Sequence, residues 1–322
     1  MSYKVPHGGF DQRKREVKLL LERVKTILSR NGYSFEVLNY PSSYRERSID
    51  LVAVKDGSRL LLRVKLGIKN VHKDEVNDLI NAASAIDAVP LVLNDEITYD
   101  NVVHEREGLY VISDKTLNNI LRRTSDVFLI QRKNSLFIRM DSKKLERIKA
   151  ERGLSLGDLA LSSGVSRRMI FHYLRNDSNV SLEVAERLIE VLGEDIIDPI
   201  TMESLKLGLT KASPDTTAES TKLLELLELS KDKVTTYRVS KSAPDFIIIS
   251  RDGCEVSFVV EGDVGRITLK DVVRKILETE KLTRIVPSDI KTVLRRSIRN
   301  AVLDELSVYG TNLNKITVIS HK

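Results

Sequence analysis

The run SLGDLALSSGVSRRMIFHYL (155–174) restricts the possible folds more than any other stretch of the chain. Ser155 and Asp158, three residues apart, form a capping box, and Gly164 permits the positive φ that a tight turn between helices needs. Ser166 then caps the next helix. Extending the 3.6-residue period to both sides predicts helices at about 142–151, 156–162, 166–175 and 181–192, with Gly153 stopping the first. Leu145, Ile148, Leu154, Leu159, Ala160, Val165, Ile170, Leu174, Leu182, Ala185, Leu188 and Leu192 would share one core. Ala160 must be small because the second and third helices cross there. Between Ser142 and Asn176 eight Lys or Arg face three acids, a net +5 in a chain whose total is +6. That concentration suits a surface meeting phosphates.

The spacing of small residue, glycine, Val-Ser and Ile in this run resembles the lambda-repressor/Cro-like (XRE) helix-turn-helix family over about fifty residues. The resemblance implies that the third helix enters the major groove while the second crosses the backbone. On that basis Arg167, Arg168, Phe171 and His172 are expected at bases or groove walls, Arg168 foremost. Ser155, Ser166, Tyr173, Arg175 and Asn176 are expected at phosphates. The competing reading makes the arginines plain solvated charge on a bundle that binds protein, and Phe171 and Tyr173 core aromatics.

Both flanks read as α/β. An amphipathic helix at 11–30 ends at Asn31-Gly32 and precedes strands at 33–40, 49–54 and 59–66, the last two joined by an Asp56-Gly57 turn. A helix at 73–87, strands at 89–95 and 108–113, and a helix opened by Asp114 follow, then a hairpin at 127–140 turning at Lys133-Asn134. After Pro199 a Ser/Thr/Pro-rich stretch reads as a linker. The last third repeats the opening: a helix at 219–230, strands at 234–240, 245–250 and 255–262, and a helix from Thr268. SIDLVAVKDGSRLLLRVK and APDFIIISRDGCEVSFVVEGD share an Asp, an apolar run, an Asp-Gly turn and a second apolar run. The expected domains are 1–126, a connector hairpin at 127–141, the helical domain at 142–200, a linker at 201–218 and a second α/β copy at 219–322.

Asp50, then Arg63 and Lys65, resembles the layout of the PD-(D/E)xK nuclease superfamily, which includes archaeal Holliday-junction resolvases, with Glu16 where such enzymes often carry a further acid. That resemblance implies Mg²⁺ held by two acids and a lysine beside the attacking water. Here Arg63 replaces the second acid and puts a cation at a metal-ligand position, so catalysis in the first copy is expected to be lost. In the second copy Asp245 and Glu261 remain but Asp263 stands where the lysine would fall. Those three acids could chelate an ion or be ordinary strand-end carboxylates. Arg45, Arg47, Arg63, Lys65 and Lys69 could form one basic edge for duplex DNA, and Arg295, Arg296 and Arg299 another.

The expected fold class is α/β plus all-α: a restriction-endonuclease-like α/β domain, a central lambda-repressor-like helical domain and a second, diverged α/β domain. The whole order resembles a family of archaeal helix-turn-helix regulators. The expected function is a sequence-specific DNA-binding transcriptional regulator with double-stranded DNA as partner, acting as a homodimer. The alternatives are a metal-dependent, structure-selective nuclease and a non-cutting protein that binds branched DNA. With 41% hydrophobic and 30% charged residues and no long apolar run, no membrane association is expected, and a cytoplasmic location is. Cys254 is the single cysteine, which excludes an intrachain disulfide, and catalysis by it is not expected. His7, His72, His104, His172 and His321 lack metal-ligand spacing and no glycine-rich phosphate loop is present, so no cofactor and no small-molecule ligand are expected.

Overall fold

Alternation of apolar residues at spacings of three and four closes α1 (Gly8–Arg30) onto its sheet through Val17, Leu20, Val24 and Leu28, all buried. The computed structural model describes residues 8–67, 72–97, 99–125, 127–176, 178–207, 212–252, 255–262, 268–311 and 313–321. Contacts divide the chain into two units, residues 1–92 with 209–322, and residues 93–208.

In the first unit, β1 (Ser34–Val37), β2 (Leu51–Lys55) and β3 (Ser58–Lys65) form an antiparallel meander, turned by Asp56 and Gly57 at positive φ. Then come α2 (Lys73–Ala85) and β4 (Ala88–Asn94). The C-terminal segment repeats the order. Its α9 (Ala218–Leu226) precedes an antiparallel β10 (Val234–Arg238), β11 (Phe246–Ser250) and β12 (Val256–Glu261). After α10 (Leu269–Ile285), β13 (Asp289–Arg295) and β14 (Ile316–His321) extend the sheet in parallel, with α11 (Arg296–Val308) between them. Val260, Ile276, Leu294 and Val302 fill one side of this sheet, and Leu223, Leu224, Phe246 and Val259 the other.

The two α/β copies dock reciprocally. Asp78 on α2 accepts the backbone N–H groups of Ser240 (2.9 Å) and Lys241 (2.6 Å). Glu278 on α10 accepts the N–H of Asn39 (2.8 Å), and Lys281 Nζ donates to the carbonyl of Val37 (3.1 Å). Each copy's helix thus satisfies backbone groups at or just past the end of the other's first strand, which unpaired would cost about 1–3 kcal/mol each. Burial pushes the Asp78 carboxyl up despite these bonds.

In the second unit β5 (Val102–Arg106) pairs antiparallel with β6 (Leu109–Ile112) and parallel with β7 (Leu129–Arg132), which turns through Lys133 at φ 53° into β8 (Ser135–Ile138). Helix α3 (Asp114–Arg122) lies between β6 and β7 and is capped by Ser113, not Asp114 as expected. Helices α4 (Ser142–Glu151), α5 (Leu156–Ser163), α6 (Arg167–Leu174) and α7 (Leu182–Leu192) match the expected positions within one residue at each end. Before α7, β9 (Val180–Ser181) pairs with β8, so the hairpin packs Ile138 and Met140 into the helical core.

These units differ from the segments expected. Residues 1–92 share a core with 209–322 because α2 and α10 bury their faces across the two copies. The expected linker begins with a helix, α8 (Met202–Leu207), whose Met202 and Leu205 are buried. Strand β5 was not expected: its burial falls from Val102 and Val103 to an exposed Arg106, too short an alternation to stand out.

Gly164 ends α5 at φ 72°, and a Cβ there would meet Arg187 Nη1 at 2.5 Å, the same atom that donates to the carbonyl of Ser163. Gly164→Ala should therefore raise the exchange rates of the α5 and α6 amides by roughly ten-fold, from the 1–2 kcal/mol cost of a left-handed L-residue. Unchanged protection in hydrogen-exchange mass spectrometry would show that the turn does not need glycine.

Candidate nucleic-acid interface

Caps hold both ends of α5 and the start of α6. Ser155 Oγ accepts the N–H of Asp158 (3.2 Å) while Asp158 Oδ2 accepts the N–H of Ser155 (2.7 Å). These hydrogen bonds hold the Asp158 carboxyl below the usual carboxylate range, with Arg167 adding to the effect. Ala160 O accepts both Gly164 N–H (3.0 Å) and Val165 N–H (3.2 Å), and Ser166 Oγ accepts Met169 N–H (3.2 Å). Ile170 and Tyr173 face the core, so the opposite side of α6 points outward.

That outward side carries Arg167, Arg168, Phe171, Arg175 and Asn176, all exposed, with His172 half-buried. The Arg167 guanidinium leans on the first turn of α5, where a Cβ on Gly157 would lie 3.0 Å from its Nη2. Phe171 is 46% exposed, a high value for an apolar ring. Arg175 stacks over it at 5.5 Å, and His172 meets its edge at 6.3 Å between centroids. Ser155 and Ser166 are exposed caps. Asn176, at φ 58°, follows the end of α6. Tyr173 is a correction: 5% exposed and packed in the helical core, its ring serves the fold, and burial raises its hydroxyl pKa.

The acid positions of the first α/β copy form a buried ion network. Asp50 Oδ2 accepts from Arg63 Nη1 (2.5 Å) and from the N–H of Val64 (2.8 Å), and Arg47 lies 3.6 Å from its other oxygen. Arg63 also donates to the Tyr44 carbonyl (2.6 Å) and lies 3.8 Å from Glu75 on α2, which pairs with Lys65. Asp50, Arg63, Lys65 and Glu75 are each at most 8% exposed. Burial lowers the Lys65 pKa while Glu75 opposes it. Glu75 was missed in the sequence, since an acid in the first turn of a helix reads as ordinary dipole compensation. Glu16 sits half-exposed on α1 and takes a hydrogen bond from Gln12 (3.0 Å); no described contact joins it to Asp50. Arg63 and Lys65 cannot form an exposed basic edge, because both are spent inside this network. Arg45 remains exposed, as do Arg295, Arg296 and Arg299. Lys69, Cys254 and Asp263 lie outside the described residues.

In the second copy the hydrogen-bond register corrects the expected correspondence. The N–H of Asp50 donates to Leu62 O, and that of Asp245 to Val259 O. Val64 N–H donates to Asp50 Oδ2, and Glu261 N–H to Asp245 Oδ2 (2.9 Å). Glu261 therefore matches Val64, Val260 matches Arg63 and Gly262 matches Lys65, so Asp263 is not at the lysine position. The hairpin is two residues longer, with twelve positions from Asp50 to Leu62 and fourteen from Asp245 to Val259, whereas setting Glu261 opposite Arg63 would need three. The cation here comes from the helix behind, with Lys275 Nζ donating to Asp245 Oδ1 (2.6 Å) and lying 5.3 Å over the Tyr40 ring. Burial pushes the Asp245 carboxyl up against the pull of Lys275. Among the described residues no group of three or more His, Cys, Asp or Glu is arranged to hold a metal ion. No described helix is long and apolar enough to cross a membrane.

Glu261 is pushed up to about 7 by burial first and by the neighbouring Asp245 and Glu219 next. The folded state then holds a proton that the unfolded chain has released, so this contribution is full below the ordinary glutamate range and is lost as pH rises through about 7. Glu261→Gln should match the wild type in stability near pH 4.5 and exceed it at pH 8. Parallel stability-versus-pH curves from chemical denaturation would refute the assignment.

Comparison with known proteins gives two family matches. Residues 17–127 match a model described as a PD-(D/E)XK superfamily domain, and residues 145–198 match one described as a helix-turn-helix. Along most of its length the chain is similar to proteins provisionally named HTH-type transcriptional regulatory proteins. One from Sulfurisphaera tokodaii is 28% identical, over 92% of this chain and 97% of the relative. One from Sulfolobus acidocaldarius is 29% identical over 88% and 92%, and one from Saccharolobus solfataricus 27% identical over 87% and 88%. No solved structure gives a significant match. The chain thus joins a PD-(D/E)XK superfamily domain to an XRE-type helix-turn-helix domain.

Proposed function

We propose that the chain is a sequence-specific transcriptional regulator in which α6 enters the major groove of double-stranded DNA. The carrying observation is the capped Gly164 turn, which buries Ile170 and Tyr173 and leaves Arg168, Phe171 and Arg175 on the outward side. In this reading Arg168 grips a guanine edge through two parallel hydrogen bonds, with Arg167 beside it. Phe171, flanked by His172, meets an apolar thymine methyl. Ser155, Ser166, Arg175 and Asn176 meet the phosphates, where the first turns of α5 and α6 present backbone N–H groups. The names of the Sulfurisphaera and Sulfolobus relatives support the same reading. A homodimer would place two such helices on half-sites about one helical turn apart, and a regulator of this kind works in the cytoplasm.

Selection of bound sequences from a random duplex pool should return a paired motif with half-sites about one helical turn apart, and affinity should fall steeply with salt. The double variant Arg167→Ala with Arg168→Ala should lose sequence preference while circular dichroism stays unchanged. Wild-type preference in that variant would mean the reader lies elsewhere.

We read the PD-(D/E)XK domain as one that contacts DNA without cutting it. Arg63 and Lys65 neutralise the two buried acids Asp50 and Glu75, so no carboxylate pair is left to hold Mg²⁺, and in the second copy Lys275 occupies Asp245. The nuclease reading rests on the superfamily match itself. Incubated with linear duplex and four-way junction DNA plus Mg²⁺ or Mn²⁺, the full chain should leave both intact. Cleavage abolished by Asp50→Ala or Glu261→Ala would establish an enzyme. A junction bound more tightly than the selected duplex would favour a branched-DNA-binding protein.

A further inference from the structure

The C-terminal sheet has two edges, and they are treated differently. At β10 the carbonyl of Thr236 accepts the N–H of Asp215 (2.7 Å), and that of Arg238 accepts Asn81 Nδ2 (3.0 Å). At the opposite edge β14 pairs with β13 alone, and among the described residues no hydrogen bond reaches its outer side. An open edge is a template for another strand, and proteins usually blunt it with charge, proline or a bulge. Residues 316–320 contain no proline, glycine or charged side chain, and Val318 and Ile319 are only partly buried, one on each face of the sheet.

Helix α11 lies over this edge, against both β13 and β14. Arg295 pairs with His321 and Ile290 with Ile316, so α11, which leaves from Arg295, runs back along the length of β14. Val302 and Leu306 turn to the core, which leaves Arg296, Asn300, Asp304 and Ser307 on the exposed side, with Arg299 beside them. The charges of α11 oppose its helix dipole: Arg296 and Arg299 stand in the first turn, Asp304 and Glu305 towards the last. No ion pair joins Arg296, Arg299 or Asp304 to another described residue. At the end of the helix Val308 and Tyr309 are 80% and 61% exposed, an apolar pair beside the open edge.

We propose that α11 and β14 form a homodimer surface, on which a second copy of this chain continues the sheet by antiparallel pairing of β14 with β14. The two-fold axis stands normal to the sheet, so both α11 helices lie on one face and run antiparallel. It passes half a strand spacing beyond β14, while α11 sits about as far inside. The helix axes are then roughly two strand spacings apart, ~9–10 Å, a normal packing distance for helices. Arg296 and Arg299 of one copy meet Asp304 and Glu305 of the other, and Val308 and Tyr309 meet the other copy's first turn. One axis thus satisfies the strand edge, the opposed charges and the exposed apolar pair. This surface supplies the contact for the homodimer of the regulator reading and rests on that part of it alone.

The test is the mass of the full chain by light scattering and sedimentation without DNA, so its failure is distinct from failure of α6 to read a sequence. The wild type should be a dimer. Arg296→Glu with Arg299→Glu should weaken dimerisation about ten-fold or more, because acids then face acids across the axis, and adding Asp304→Arg should recover most of it. All three positions are exposed, so circular dichroism should stay unchanged. Hydrogen exchange of the β14 amides should slow as the dimer forms. The proposal is overturned if the chain is monomeric at every concentration, or if the double variant dimerises as the wild type does. It is equally overturned if the third substitution restores nothing, or if the β14 amides exchange alike in monomer and dimer.

Discussion

A single backbone conformation, the left-handed φ of Gly164, lets α5 end and α6 begin with three residues, Gly164, Val165 and Ser166, between them. An L-residue there would pay about 1–2 kcal/mol and displace Arg187, whose guanidinium ties α7 to the same turn. From that turn follow the burial of Ile170 and Tyr173 and the exposure of Arg168 and Phe171. Packing fixes the helix and exposure supplies its chemistry, and an α-helix allocates the two through its period alone.

The flanking α/β copies share an architecture and treat their buried charge differently. In the first, Arg63 and Lys65 come from the strand itself and Glu75 from α2, making a closed network of opposite charges. In the second, the strand offers Val260 and Gly262 at the matching places, and Lys275 reaches in from α10. Removing Arg63 would strip the buried Asp50 carboxylate of its nearest cation, a cost of several kcal/mol, and removing Lys275 would do the same to the half-buried Asp245 at a smaller cost. The docking between copies works the same way, through Asp78 and Glu278 accepting backbone N–H groups of the opposite copy.

How much of this was legible depended on the range of the interaction. The four helices and their caps are local patterns of three or four residues, and Ser155, Asp158, Gly164 and Ser166 announce them directly. Glu75 could not be distinguished from a helix-dipole acid until α2 was seen behind β3. Tyr173 and Phe171 lie two apart on one short helix, and which of them is core depends on the rotation of α6 against α4 and α5. Strand β5 was too short for its alternation to register.

The sequence alone determined the helix-turn-helix, the repeated strand–turn–strand pattern and the presence of Arg63 thirteen residues after Asp50, since each is encoded by neighbours along the chain. Tertiary structure decided the partner of each buried charge, the hairpin register that places Glu261 at the position of Val64, and the union of residues 1–92 with 209–322 in one unit. Those outcomes depend on hairpin length and on helices packing over sheets distant in sequence. Nothing in a local pattern records which distant backbone groups a side chain will satisfy.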